Sequence, residues 1–384
     1  MRVGLGVTVW AKGSVSGHLD GIGIYTQSLW RSLQRLASQS ESQLSLQSFA
    51  FGRNLPFLEC GQPQQIARHF SAHALKSALF GPSNRMSTHI RKQVDLFHAT
   101  DHHIPQLKGV PVVASVMDLI PLIHPEWTSP HLRRAKNWLF SKTIRNADHI
   151  ITISEHSKLD LVEHLGIAAE NISVTPLGVD PVYFQPIDNE TRQRTLQSCA
   201  LSPGFFLCIG TLQPRKNLKR VLAAHRSLPE SIRKSNPLLV VGRIGWGVED
   251  LLPELRALEA RGEGRWLDYL PRETVLALLQ SATATVFPSL YEGFGLPVIE
   301  AFAARCPVIA ANTTSLPEVA GNAALLVNPL DESSIAQAMS EIIESPDRTE
   351  QRVNLGYDRA QKYSWDACRD KTLAIYKQVI QKHA

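Results

Sequence analysis

Two acidic residues eight positions apart, Glu292 and Glu300, bracket a glycine-bearing turn in Ser289–Glu300 (SLYEGFGLPVIE). An apolar run ending at Pro288 reads as a buried strand, and Pro297 suits a first helical turn, where its missing N–H has no partner to lose. Strand, turn and helix in that order leave the N–H groups near Phe294, Gly295 and Leu296 at a helix N-terminus, a ready site for a phosphate. The glycines let backbone approach a ligand closely. Complementing the helix dipole is the lesser reading of Glu300. Glu292, in a turn flanked by aromatic residues, has no such structural role. A second candidate pair, Arg215 and Lys216, lies in Ile209–Leu218 (IGTLQPRKNL) at the carboxyl end of another apolar run, with Asn217 placed to cap a helix from Leu218. Read alone, these are two loop cations. Gly242–Gly247 (GRIGWG) ends a further apolar run. Towards the start, Asp20–Tyr25 (DGIGIY) places Gly21 and Gly23 in a GxG spacing that a nucleotide loop and simple turn chemistry share. His98 (DLFHAT) and Asp118 (SVMDLIP) stand at carboxyl ends of candidate strands, and His98, His102 and His103 cluster with Asp101 without a zinc-ligand spacing.

Positioning these residues falls to short apolar runs that alternate with helical patterns. Candidate strands are Arg2–Val9, Leu44–Phe51, Asp95–Ala99, Val112–Met117, His149–Ile153 and Ile172–Pro176, then Phe205–Gly210, Leu238–Gly242, Ala284–Pro288, Val308–Ala311 and Ala324–Val327. Most are near-continuous rather than alternating, as strands buried on both faces of a parallel sheet require. Candidate helices include Gly23–Ser38, Ser129–Asn146, Glu155–Leu165, Arg272–Gln280 and Pro297–Ala304. The pattern predicts an α/β fold with two Rossmann-like doubly wound domains, and 384 residues is the length of two such cores. A Pro- and Gly-rich stretch, Pro176–Pro186, marks the hinge, giving expected domains over 1–183 and 184–364. Trp365–Ile380 reads as a helix, and residues 365–384 are expected to pack back on the first domain. Ligands of open α/β sheets bind at strand carboxyl ends, so a central cleft faced by both domains is the expected site.

The E-x7-E spacing with its G-F-G-L-P-x-x-E core resembles the signature of GT-B, family 4 retaining glycosyltransferases, the glycosyltransferase group 1 domain. That resemblance covers nearly the whole chain, is strongest over residues 200–330 and weakest at 50–95. It implies that Glu292 contacts the hydroxyls of the donor sugar, Glu300 the nucleotide ribose, and Arg215 with Lys216 the donor diphosphate, whose charge grows as it leaves. It also implies that Gly21 and Gly23 lie over the donor phosphate and that Gly242 lines the same site. Trp266–Pro271 (WLDYLP) stands where the family contacts the base, with Asp268 departing from the pattern. The family often carries His-Asp where this chain has Met117-Asp118, so Asp118 matches and the sugar-contacting His does not. His98 or His103 remains a candidate on the acceptor side.

The expected enzyme is a metal-independent hexosyltransferase acting on a nucleotide-sugar donor and a glycan or lipid-linked oligosaccharide acceptor in cell-surface polysaccharide assembly. A GDP-linked mannose or deoxymannose donor is favoured over UDP-linked glucose or N-acetylhexosamine, with no cofactor required. A non-catalytic nucleotide-sugar-binding protein on the same scaffold is the alternative. A phosphorylase would need a lysine-bound pyridoxal cofactor, for which there is no motif, and an epimerase would lack the E-x7-E spacing. The net charge of +5 does not indicate nucleic acid. Met1–Gly6 reads as a strand rather than a secretory leader, no apolar run is long enough to span a bilayer, and five scattered cysteines suit a reducing cytoplasm. Arg133, Arg134, Lys136, Lys142 and Arg145 share one expected helix with Trp138, Leu139 and Phe140. A solvated helix face accounts for them; peripheral contact with the inner surface of a membrane is the second reading.

Overall fold

The computed structural model describes residues 1–128 and 132–383. Within them the short apolar runs form two wholly parallel sheets. The first contains β1 (Arg2–Gly6), β2 (Ser45–Ala50), β3 (Gln64–Gln65), β4 (Leu96–Ala99), β5 (Val112–Ser115), β6 (His149–Thr152) and β7 (Ile172–Val174), in the order β3-β2-β1-β4-β5-β6-β7. The second contains β8 (Phe206–Ile209), β9 (Leu238–Val241), β10 (Gly264–Leu267), β11 (Ala284–Phe287), β12 (Val308–Ala311) and β13 (Leu325–Val327), in the order β10-β9-β8-β11-β12-β13. Central strands such as β4, β5, β9 and β11 are buried at every position, which is why they read mostly as Val, Leu, Ala and Phe.

The chain forms two compact units. One comprises Met1–Ile123, residues 132–178 and the final helix Trp365–His383; the other comprises residues 124–128 and Val179–Ser364. In the first, the helix Gly21–Ala37 is started by Asp20, whose carboxylate accepts the Gly23 N–H at 2.8 Å. It buries Tyr25, Leu29 and Leu33 towards the sheet, and Trp365–His383 packs beside it. That last helix buries Trp365, Cys368, Thr372, Ile375, Tyr376 and Val379, a stripe at helical spacing. The Ser32 hydroxyl joins the two helices by donating to Asp366 at 2.5 Å. The second unit packs Phe206, Val221, Val240, Leu255, Val286 and Met339 into its own core. Each such side chain contributes about 1.5–3 kcal/mol when fully buried.

Several expected bounds move. The first strand stops at Gly6 and Thr8–Ser16 is helical, because the Val9 N–H goes to the Asp101 carboxylate at 2.9 Å rather than to a neighbouring strand. β10 was not expected: its GRWL sequence carries a charge and its residues are only half-buried at the sheet's edge, so no continuous apolar run announces it. The expected helix Ser129–Asn146 is observed as Arg133–Thr143 followed by a 3-10 turn to Asn146, with Ser129 outside the described residues.

Candidate active site

In the second sheet the strand order reverses between β8 and β11. Carboxyl ends of strands at such a reversal are where open α/β sheets hold ligands. Arg215 and Lys216 come from the 3-10 turn Pro214–Lys216 after β8, and Glu292 from the loop after β11. The structure brings the three together on one atom: Glu292 Oε1 accepts from Lys216 Nζ at 2.6 Å and lies 2.8 Å from Arg215 Nη1. Arg215 also donates to the Tyr291 carbonyl and to Gln213 Oε1, each at 3.2 Å, and the Lys216 ammonium sits 4.4 Å from the centre of the Phe287 ring. Burial alone would raise the Glu292 carboxyl, but Arg215 and then Lys216 outweigh it and hold the acid down to about 2. Burial pushes the Lys216 ammonium down to about 8, with Glu292 restoring part of the loss and Arg215 adding to it. Two partly buried cations facing one buried carboxylate make an arrangement suited to an anion.

The loop carrying Glu292 is fastened from the loop after β12. Thr314 Oγ1 accepts the Glu292 N–H at 3.2 Å, and the Ser315 hydroxyl donates to the carbonyls of Glu292 and Phe294 at 2.8 and 3.1 Å. These two fastening residues were not anticipated; their only signal is a polar Asn-Thr-Thr-Ser run directly after a buried strand. Gly295 precedes the helix Leu296–Ala303 with φ +105°, a conformation that favours glycine, and no side chain caps that helix. Pro297 occupies its second position. Phe294 is buried, with its ring edge-on to Tyr363, so only its backbone can serve a ligand.

Two glycine and cap readings change. Gly242 is required first by the fold: a Cβ there would stand 2.0 Å from the Gly210 carbonyl oxygen. Asn217 precedes the helix Leu218–Ser227, but its side chain does not cap it. With φ +61°, it donates Nδ2 to the carbonyls of Pro288 and Pro329 at 3.0 and 2.6 Å, tying the β8 turn to the loops after β11 and β13. An aromatic group also joins this unit: His124 stacks on Trp127 at 3.9 Å and meets Tyr291 edge-on, while Trp246 donates to the Trp127 carbonyl at 2.8 Å.

Glu300 belongs to a different set of partners. It is hydrogen-bonded by Tyr183 and lies near Arg272, which pairs with Asp180. Burial raises the Glu300 carboxyl to about 7; Arg272 and the Tyr183 hydroxyl oppose the rise and Asp180 adds to it.

The first sheet reverses between β1 and β4. Here DGIGIY is the first turn of a helix rather than a loop, and the Gly23 N–H is already taken by Asp20. Gly21 keeps open space on its Cβ side. His98 cannot face a ligand: it is wholly buried, with Nδ1 2.6 Å from the Tyr376 hydroxyl and Nε2 2.8 Å from the Ser115 hydroxyl. Burial pushes its imidazole down to about 3, so it stays neutral. Asp118 accepts the Ile120 N–H at 3.1 Å and is half-buried. His103 is held differently from His98. Its Nδ1–H donates to Asp101 at 2.8 Å, and its Nε2 accepts from the exposed Lys12 ammonium at 3.2 Å. Among the described residues, no three His, Cys, Asp or Glu side chains gather as a metal would need.

A cation pair sharing one carboxylate where a parallel sheet reverses its strand order, beside a glycine-led helix, is an arrangement that α/β proteins use for anionic ligands. Two family descriptions match the chain: Glycosyltransferase Family 4 over residues 21–183 and Glycosyl transferases group 1 over residues 193–361. The chain is 28% identical to O-antigen chain mannosyltransferase B of Escherichia coli, covering 96% of this chain and 99% of that one. It is also 28% identical to the MMP alpha-(1->4)-mannosyltransferase of Mycolicibacterium hassiacum, over 67% of this chain and 61% of that one. Sucrose-phosphate synthase from Thermosynechococcus elongatus superposes with a TM-score of 0.73 over the full length of both chains at 19% identity, a likeness of fold. The chain belongs to the family 4, group 1 glycosyltransferases, retaining hexosyltransferases on the GT-B fold.

Proposed function

We propose that this glycosyltransferase moves a mannose-type hexose from a GDP-linked donor onto a glycan or lipid-linked acceptor in cell-surface polysaccharide assembly. The observation that carries the reading is the partly buried Arg215–Glu292–Lys216 cluster at the β8/β11 reversal. In this reading Arg215, Lys216 and the N–H groups at the start of Leu296–Ala303 receive the diphosphate. They stabilise the charge it gains on leaving, so no divalent cation is required. Glu292 Oε1 is committed to the cations, and its other oxygen takes the sugar hydroxyls; Glu300 takes the ribose. Residues 184–364 then form the donor domain and 1–183 the acceptor domain. The acceptor side falls to Asp118, with His98 withdrawn because both its ring nitrogens are engaged, and Gly21 is assigned to the donor phosphate. Mannose is supported by the two mannosyltransferases to which the chain is similar.

Nucleotide release from a donor panel tests the proposal, alongside calorimetric titration of GDP against UDP. The double variant Arg215→Ala, Lys216→Ala should lose about a hundredfold or more in kcat/KM and bind GDP-mannose measurably more weakly. Unchanged affinity and turnover would remove the assignment; tighter binding of UDP than GDP would overturn the donor base while leaving the transferase intact.

A further inference from the structure

Residues 124–128 follow β5 in the sequence, yet they belong to the second unit. Their fastenings in that unit lead to the donor cluster from two sides. On one side the Trp127 carbonyl accepts the Trp246 indole N–H at 2.8 Å. The loop that carries Trp246 lies against the turn bearing Arg215. There the Gly245 N–H donates to the Leu212 carbonyl at 2.9 Å, and a Cβ on Gly247 would stand 3.1 Å from the Pro214 ring. On the other side the His124 ring meets Tyr291 edge-on, with centroids 5.7 Å apart. Tyr291 directly precedes Glu292, its carbonyl accepts from Arg215 at 3.2 Å, and the neighbouring Leu290 N–H donates to the Arg215 carbonyl at 2.8 Å.

His124 is held in place without being used up. Its ring stacks on Trp127 with centroids 3.9 Å apart and an interplanar angle of 21°. Its Nδ1 lies 3.1 Å from the Glu126 carboxylate, which fixes the tautomer with the hydrogen on Nδ1 and leaves Nε2 as an acceptor. Among the described residues no partner takes Nε2, and the side chain is 32% exposed. His98 is the contrast, with both nitrogens bonded inside the core. A ring present only for packing needs neither an orienting carboxylate nor an open nitrogen. An imidazole with one nitrogen committed and the other available is preorganised for a ligand.

We infer that His124 is a contact for the donor sugar, its Nε2 accepting a hydroxyl of the hexose whose other hydroxyls Glu292 takes. The inference rests on the reading that places the sugar at Glu292. With one oxygen committed to Arg215 and Lys216, Glu292 cannot take every hydroxyl of a hexose, and the ring against Tyr291 supplies a second acceptor beside it. An acceptor nitrogen suits an O–H and opposes a phosphate oxygen, so the sugar rather than the diphosphate is the part of the donor it fits. Glu126 and Trp127 act through His124 as positioning residues, and Trp246 holds Trp127.

Calorimetric titration with GDP and nucleotide release from GDP-mannose test the contact; UDP and UDP-glucose take their places if UDP binds the tighter. His124→Phe keeps a ring on Trp127 and Tyr291 but removes Nε2, and His124→Ala removes both. Each variant should bind GDP like the parent and keep its melting temperature, while kcat/KM for nucleotide release falls about ten- to a hundredfold. Glu126→Gln should lower kcat/KM by a smaller factor, again with GDP affinity unchanged. A phenylalanine variant as active as the parent would reduce His124 to packing and overturn the proposal. GDP affinity that falls in step with kcat/KM would place the ring at the nucleotide or in the fold and overturn it equally. If Glu292→Gln releases nucleotide like the parent, the placement of the sugar fails and this contact with it; if only the His124 variants do, this contact fails alone.

Discussion

Lys216 is charged at neutral pH only by a narrow margin, because burial lowers its ammonium to about 8 while Glu292 holds it up. If that ammonium receives the diphosphate, kcat/KM should fall as pH rises through about 8, where the group loses its proton. Lys216→Arg should carry that falling limb to higher pH, since a guanidinium stays protonated, and a steady-state profile against pH reads the difference directly. A limb that stays near 8 in the arginine variant would mean another group titrates there. At this scale the spacing of Glu292 and Glu300 was legible, as was the placement of Arg215 and Lys216 beside a strand end. What spacing could not reveal is that Glu292 shares one oxygen with both cations while Glu300 sits apart with Tyr183 and Arg272. Both acids follow the same strand, and only the path of the loop after β11 separates them. His98 shows the opposite failure. A histidine at a strand's carboxyl end reads as a ligand, but Tyr376, 278 residues later, occupies it, and no local pattern reports such a partner.

Among the elements, the β8 turn depends on Asn217 more than its position before a helix suggests. It adopts a left-handed backbone and satisfies two carbonyls, those of Pro288 and Pro329. Asn217→Ala should therefore cost about 2–4 kcal/mol in urea unfolding, the sum of two buried acceptors left without donors. Asn217→Gly, which relaxes the backbone alone, should recover only a small part. Equal stability of the alanine variant and the parent would show that water replaces the amide. Buried strands were legible here because parallel sheets write themselves as apolar runs. β10 was not, since a half-buried edge strand has no need of one. Thr8 and Val9 were misread for a related reason: β-branched residues favour a strand, but a carboxylate 92 residues on, Asp101, captures the Val9 N–H and turns the chain into a helix.

For the molecule as a whole, the first unit is completed by a helix that follows the entire second unit in sequence. Tyr376 is wholly buried and bonded to His98, and Trp365 lies 6.3 Å from Tyr25. Tyr376→Phe should lower the first unit's unfolding free energy by about 1–3 kcal/mol, because it strands His98 Nδ1 in the interior. The second unit, which contributes none of these groups, should keep its own protection in hydrogen exchange. Uniform loss of protection across both units would show that they unfold as one. The doubling of the α/β pattern was readable from the run of strands and helices, as was the stripe of the last helix. The transfer of residues 124–128 to the second unit was not, because nothing in their composition distinguishes them from their neighbours.

That late-arriving helix reverses the order in which the halves can mature. During synthesis the segment 179–364 emerges whole and can close its own core, while the earlier half waits, its Tyr25–Ser115–His98 chain of bonds open at one end until Tyr376 leaves the ribosome. The part of the protein made first is thus the part finished last. Nascent chains halted before Trp365 should resist protease over the later segment and yield over the earlier one.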